Sequence, residues 1–427
     1  MADALPRLRF NLDFMPSPDP AKPGLYIRDP YHYSDATLLV PPPLVAALEC
    51  FDGLQSTLDL RSQLVRITGE IEVSDLEKHL FDSLDEAGFL DNPRYRDLKS
   101  KREAEFALEA ARAANFAGAA YPANQTKLAE LLTRRIGAPQ GNPGTRAIAA
   151  PHASPDGGWS TYRAAYSCLP SVEDAAETTF LILGTSHYGA PERFGLTRKN
   201  FITPYGEAQT NVRLVNELQK AAPDAVLMED YCHAVEHSIE FQVVFLQHLY
   251  GPRVRILPIL CGPFVKSIYE GGPPEQNDGV ARFLGALGNM AAREGRRVFW
   301  ILGVDMAHMG RRYNDPIRAT ANIGEMLAIE QRDRERIARI AAGDPAGYWS
   351  LVQEGHDDLK WCGSAPFYTF MKTVPRCQGE LLDYHQWQID PQSVVSFGAL
   401  RFTEPDRRPT NSRDGSGLAD QAGQPLL

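Results

Sequence analysis

Cysteine is scarce in this 427-residue chain: there are six, none spaced as C-x-x-C. That excludes a disulfide framework and a zinc ribbon. No apolar run approaches the ~20 residues of a membrane helix. The opening residues, MADALPRLRFNLDF, lack the apolar core of a secretion signal. Basic residues are outnumbered, 44 against 54, and a net charge of -10 leaves no basic footprint for nucleic acid. Neither G-x-x-x-x-G-K-[ST] nor a G-x-G-x-x-G after a strand occurs, so nucleotide-dependent chemistry has no support. These absences predict a soluble, cytoplasmic protein with reduced thiols, no nucleotide cofactor, and no membrane or nucleic-acid partner.

What is present is a globular mixture, 43% hydrophobic and 23% charged, long enough for more than one domain. Residues 1–92 read as a small module. Leu25-Tyr26-Ile27 suggests a strand, and residues 44–51 a helix. Ser74-Asp75-Leu76-Glu77 has the form of a capping box, and Leu76, Leu80, Phe81 and Leu84 follow at helical spacing. Gly88 suits the left-handed stop after that helix. The expectation is a winged-helix-like fold. Residues 93–114 predict a linker helix. From 115 to 404 short apolar runs alternate with amphipathic helices. Strands are expected at 146–150, 179–183, 254–260 and 298–304, and helices at 125–135, 211–221, 239–250, 280–293 and 323–341. This alternation predicts an α/β domain with a mostly parallel sheet flanked by helices. Closing strands are expected at 380–384 and 394–401. Residues 405–427, rich in Gly, Pro, Asp and Ser, predict a disordered tail.

The informative residues follow the strands. Residues 146–150 lead into His152, 179–183 into His187, and 298–304 into Asp305 and His308. Ligands of open α/β sheets gather at the carboxyl ends of strands. Two histidines and an aspartate suit a transition metal, and Cys362, just before an expected helix capped by Ser364, is a possible further ligand. A buried free cysteine is the alternative for Cys362. The segment His233-Ala234-Val235-Glu236-His237 also matches the H-x-x-E-H of inverted zinc metallopeptidases. A helix starting at Ser238 would leave His233 in a loop and remove that geometry.

Five blocks in order carry a family resemblance: Ala150-Pro151-His152-Ala153, Leu183-Gly184-Thr185-Ser186-His187, Glu236-His237-Ser238-Ile239-Glu240, Asp305-Met306-Ala307-His308-Met309-Gly310 and Cys362-Gly363. Residues 115–122, NFAGAAYP, resemble a family opening A-G-x-W-Y-P, with Ala120 in the place of Trp. Residues 112–403 thus resemble the MEMO family, whose bacterial members are called AmmeMemoRadiSam system protein B. Residues 1–92 weakly resemble PqqD-like modules. The resemblance implies the fold of class III extradiol dioxygenases and one Fe(II) or copper ion per chain, held by His152, His187 and Cys362. It places His308, Asp305 and His237 as candidate catalytic residues, with Glu236 and Glu240 orienting the ligands. It departs at Ser154 to Trp159, where an insertion alters the neighbouring pocket. A dioxygenase-like oxidoreductase acting on a small molecule or peptide is one reading. A non-enzymatic protein binding a peptide, a radical-SAM enzyme or an AMMECR-type partner is another.

Overall fold

The computed structural model describes residues 4–404, apart from 18, 142, 143, 172, 174 and 176. The expected tail at 405–427 lies outside the described residues.

Four apolar segments form the centre of a large sheet. Thr145–Ala150, Val298–Gly303, Thr179–Thr185 and Arg255–Cys261 lie side by side in that order, all parallel. They read as unbroken apolar runs because both faces are covered. Alternation along each strand sorts the side chains into two layers. Ala147, Ala149, Leu181 and Leu183 join one core, and Ile148, Ala150, Phe180 and Ile182 the other. The first core is roofed by helices Val212–Ala221, Asp278–Glu294, Glu325–Ala341, Pro345–Gln353 and Ser364–Thr373. The second is roofed by Gln125–Arg135, Trp159–Tyr166 and Glu240–Tyr250. The parallel order puts the carboxyl ends of all four strands on one edge.

The expected parallel sheet flanked by helices is thus present at the centre, and beyond these four strands the sheet becomes mixed. The hairpin Gln378–Asp390 and Ser393–Thr403 pairs antiparallel onto Thr145–Ala150. Asn200–Thr203 and Gly206–Thr210 form a second hairpin at the opposite side. Connections this short can join only antiparallel strands.

Residues 5–90 build a separate core. The antiparallel strands Asp13–Pro16, Leu25–Arg28 and Thr37–Val40 form a three-stranded sheet beside helices Thr57–Thr68 and Ser74–Glu86. Ile27, Leu60, Leu64, Leu84 and Phe89 are fully buried between them. Residues 42–50 form a 3-10 helix. The capping box expected at Ser74 is absent. The helix there starts without side-chain help, and Glu77 pairs with Arg61. The reciprocal cap lies at Ser56 and Asp59, where the Ser56 N–H donates to the Asp59 carboxylate at 2.8 Å. Helix Pro93–Leu108 then leads to Ala111–Arg112, which pairs with Asn200–Thr203.

Candidate metal centre

His152 lies two residues beyond its strand and is 1% exposed. Its backbone N–H donates to Asp305 Oδ1 at 2.9 Å, and its Nδ1 lies 2.8 Å from the Gly303 carbonyl. A carbonyl only accepts, so Nδ1 carries the proton and Nε2 is left to face the site. That Nε2 is 3.2 Å from Cys362 Sγ and 3.5 Å from Asp305 Oδ2.

His187 is fixed by Glu236. Its backbone N–H donates to Glu236 Oε2 at 2.9 Å, and its Nδ1 lies 3.1 Å from both carboxylate oxygens. The same buried carboxylate accepts from the N–H groups of His237 and Ser238, at 2.8 and 3.2 Å, and sits 3.1 Å from His237 Nδ1. One carboxylate therefore orients two imidazoles. The three rings of His152, His187 and His237 are 5.0–5.1 Å apart, with His187 and His237 parallel to within 7°.

Cys362 arrives on the loop before Ser364–Thr373. Thr185 Oγ1 donates to the Cys362 carbonyl at 2.8 Å, and the Gly363 N–H donates to the Asp305 carbonyl at 3.1 Å. A side chain at 363 would meet Val304 Cβ at 2.8 Å and the Asp305 carbonyl at 2.9 Å, so this close approach requires glycine. The helix cap is Gly363, not the expected Ser364, whose hydroxyl turns to Asp357.

Among the described residues, two overlapping groups result that could hold a metal ion. The donor atoms of His152, His187 and His237 all lie within 4.8 Å of one another, as do those of His152, Asp305 and Cys362. His152 belongs to both. The set expected from resemblance, His152, His187 and Cys362, draws on each group, and His237 enters as a third imidazole.

Electrostatics bind the groups together. Burial works against the charged form of His152, but the Asp305 carboxylate and Cys362 outweigh it and hold its pKa up to about 9. Burial likewise opposes a charged His187, yet Glu236 and Cys362 raise it well above the usual imidazole range. Burial alone would push the Cys362 thiol up, and His152, His308 and His187 pull it well below the ordinary value. His237 is shifted down, chiefly by burial. A centre that holds protons between a thiolate and imidazoles offers a metal cation the same donors.

The other expected residues are placed as follows. His308 opens the strand His308–Gly310. Its Nδ1 lies 2.9 and 3.1 Å from the carbonyls of Met306 and Lys360, and its ring meets Tyr313 edge-on. It lies outside both ligand groups. Glu240, expected to orient ligands, bonds instead to Arg112, Tyr121 and the N–H groups of Asn115 and Phe116. It anchors the incoming chain. Fully buried Arg112 carries that anchor onward, donating to the carbonyls of His233 at 2.8 Å and Glu236 at 2.9 Å. No local pattern marks Arg112, because its partners are more than a hundred residues away.

His233 lies in the short helix Cys232–Val235 rather than a loop, and its Nε2 faces the Gly195 carbonyl at 3.1 Å. It belongs to neither ligand group. Glu236 is committed to His187 and His237, so the geometry of an H-x-x-E-H peptidase is not assembled. Ser238 does not start the next helix, which begins at Glu240; its hydroxyl donates to the Thr185 carbonyl at 2.8 Å. Pro155–Gly157, in the stretch expected to depart from the family pattern, forms a 3-10 turn, and the Tyr162 hydroxyl donates to the Ala153 carbonyl just before it at 2.7 Å.

Known proteins are similar to this chain in sequence. A family model described as "Memo-like protein" matches residues 112–401. A "MEMO1 family protein" of Aquifex aeolicus is 26% identical over 403 residues, 93% of this chain and 99% of that protein. One from Thermococcus kodakarensis is 31% identical over 301 residues, 67% of this chain and 97% of that protein. A "Protein memo-1 homolog" of Caenorhabditis elegans is 28% identical over 305 residues, 70% of this chain and 78% of that protein. The matched stretch begins at the buried anchor Arg112, contains all the residues of both ligand groups, and covers well over half of the chain: it belongs to the Memo-like protein family.

Proposed function

We propose that this chain is a mononuclear metalloprotein whose ion is held by His152, His187 and Cys362, with His237 and Asp305 alongside. One observation carries the reading. His152 and His187 each commit Nδ1 to a fixed acceptor, Gly303 or Glu236, which leaves Nε2 free beside a thiol. Metal-binding histidines are held in this way, by an acceptor behind the ring. A set of imidazoles and one thiolate favours Fe(II) or copper over magnesium or calcium. Such an ion supplies Lewis-acid and one-electron chemistry to a bound small molecule.

The chain's own residues do the rest. Glu236 fixes the tautomers of His187 and His237. Asp305 holds the His152 backbone and places a negative oxygen beside its ring. His308 has its Nδ1 proton engaged by two carbonyls, so its Nε2 is the acceptor, suited to take a proton from a ligand. We assign the protein oxidoreductase character on this basis.

The test is metal content by elemental mass spectrometry on anaerobically purified full chain, Cys362→Ala and His187→Ala. A stoichiometric iron or copper content that either substitution abolishes is expected. A metal-free native protein, or zinc indifferent to Cys362, would overturn the reading and leave the rim as a binding pocket.

A further inference from the structure

The side chains of His187 and His237 are each 27% exposed, and Cys362 is half-buried, so the centre opens on one face. Tyr188 stands beside that face, its ring 6.2 Å from the ring of His187. The residue packed on Tyr188 comes from elsewhere in the chain. Tyr31, on the turn between Leu25–Arg28 and Thr37–Val40, meets Tyr188 at 4.8 Å.

That turn is built to hold still. Asp29 is buried and paired with Arg9, whose two nitrogens reach its carboxylate at 3.0 and 3.1 Å. The same carboxylate accepts from the N–H groups of Tyr31 and Ser34. The turn also grips the second loop of the centre. The Tyr231 hydroxyl donates to the Tyr31 carbonyl at 3.0 Å, and the Tyr231 ring stacks on Tyr33 at 5.1 Å. Tyr231 lies five residues before Glu236. One turn of the N-terminal unit thus touches both the His187 loop and the Glu236 loop.

We infer that Tyr31 sets the aperture of the centre: by bracing Tyr188 it fixes the outer wall of the open face and so the size of ligand that reaches His187, His237 and Cys362. Tyr31 is a positioning residue for specificity, acting through Tyr188. It lies outside the stretch matched by the family model. The Thermococcus relative is matched almost end to end by 67% of this chain, and the Aquifex relative by 93% of it. The inference concerns access and holds whether or not the centre carries metal.

Cys362 can serve as the reporter, since the other five cysteines are buried. The full-length chain, stripped with chelator, is treated with N-methylmaleimide or with the much larger N-pyrenylmaleimide. The rate at Cys362 is read by peptide mass spectrometry. Both reagents attack the same thiol, so its ionisation cancels in the ratio of rates. Tyr31→Ala and Tyr188→Ala are expected to lower the small-to-large ratio by about tenfold, a barrier difference of about 1.4 kcal/mol. Tyr31→Phe, which keeps the ring, should retain the wild-type ratio. Equal acceleration of both reagents, or no change in either, would overturn the inference. Failure of the metal reading would show separately, as absence of metal from the unstripped protein.

Discussion

At the scale of single residues, Glu236 is the most connected group of the centre. Its carboxylate is held well below the usual range because His187 and His237 outweigh its burial. Glu236→Gln keeps the shape but can no longer accept from every donor at once. Metal retention in a chelator competition should fall ~10–100-fold, the usual cost of losing an orienting partner. Cys362 differs from the other thiols in exposure and charge. Burial pushes Cys261 and Cys377 up to about 12, whereas Cys362 is drawn down by neighbouring histidines. In the chelated protein, iodoacetamide at neutral pH should label Cys362 first, and bound metal should block it. Peptide mapping checks both. His152, His187, Asp305 and Cys362 could be singled out in the sequence because each follows a strand or precedes a helix. Their partners could not. Glu240 sits one turn from His237 in sequence, yet its bonds run to residues 112–121, and only the folded chain reveals that.

At the scale of elements, the loop bearing Cys362 depends on one missing side chain. Gly363→Ala would force Val304 or the Asp305 carbonyl to move, and overpacking of this kind costs ~1–3 kcal/mol. We expect a lowered denaturation midpoint together with weakened metal retention. Normal metal content would contradict the close fit seen at Gly363. The four central strands were readable because apolar runs buried on both faces leave an unmistakable pattern. The closing pair Gln378–Asp390 and Ser393–Thr403 was also readable, though shorter than it is, whereas the hairpin Asn200–Thr203 and Gly206–Thr210 was not, since its short strands leave no apolar run. The Ser56 cap was missed because its reciprocal partner is Asp59 and not the Glu or Gln of the usual signature.

At the scale of the whole molecule, the centre couples stability to pH. His152 has a folded pKa of about 9, above its ordinary 6.5. Its contribution is fully present below pH 6.5 in the chelated protein and is lost as pH rises through about 9. If the proposed ion binds, it would displace that proton, and the loaded protein would not depend on it. The gap in unfolding free energy between loaded and chelated protein should therefore widen from pH 6 to 9, by at most ~1.4 kcal/mol per pH unit for each proton displaced. Denaturant titrations at several pH values measure it, and a constant gap would show that metal and proton do not compete.

The spacing of the centre along the chain has a consequence for biosynthesis. His152 meets Asp305 across 153 residues and Cys362 across 210. Contacts so distant in sequence form late, after the intervening loops have closed. While the ribosome is still translating the first three hundred residues, the histidines of the centre exist without their aspartate or thiolate. A donor set that includes Asp305 and Cys362 is therefore completed only once the chain beyond them has been made, and a product truncated before Cys362 lacks its thiolate.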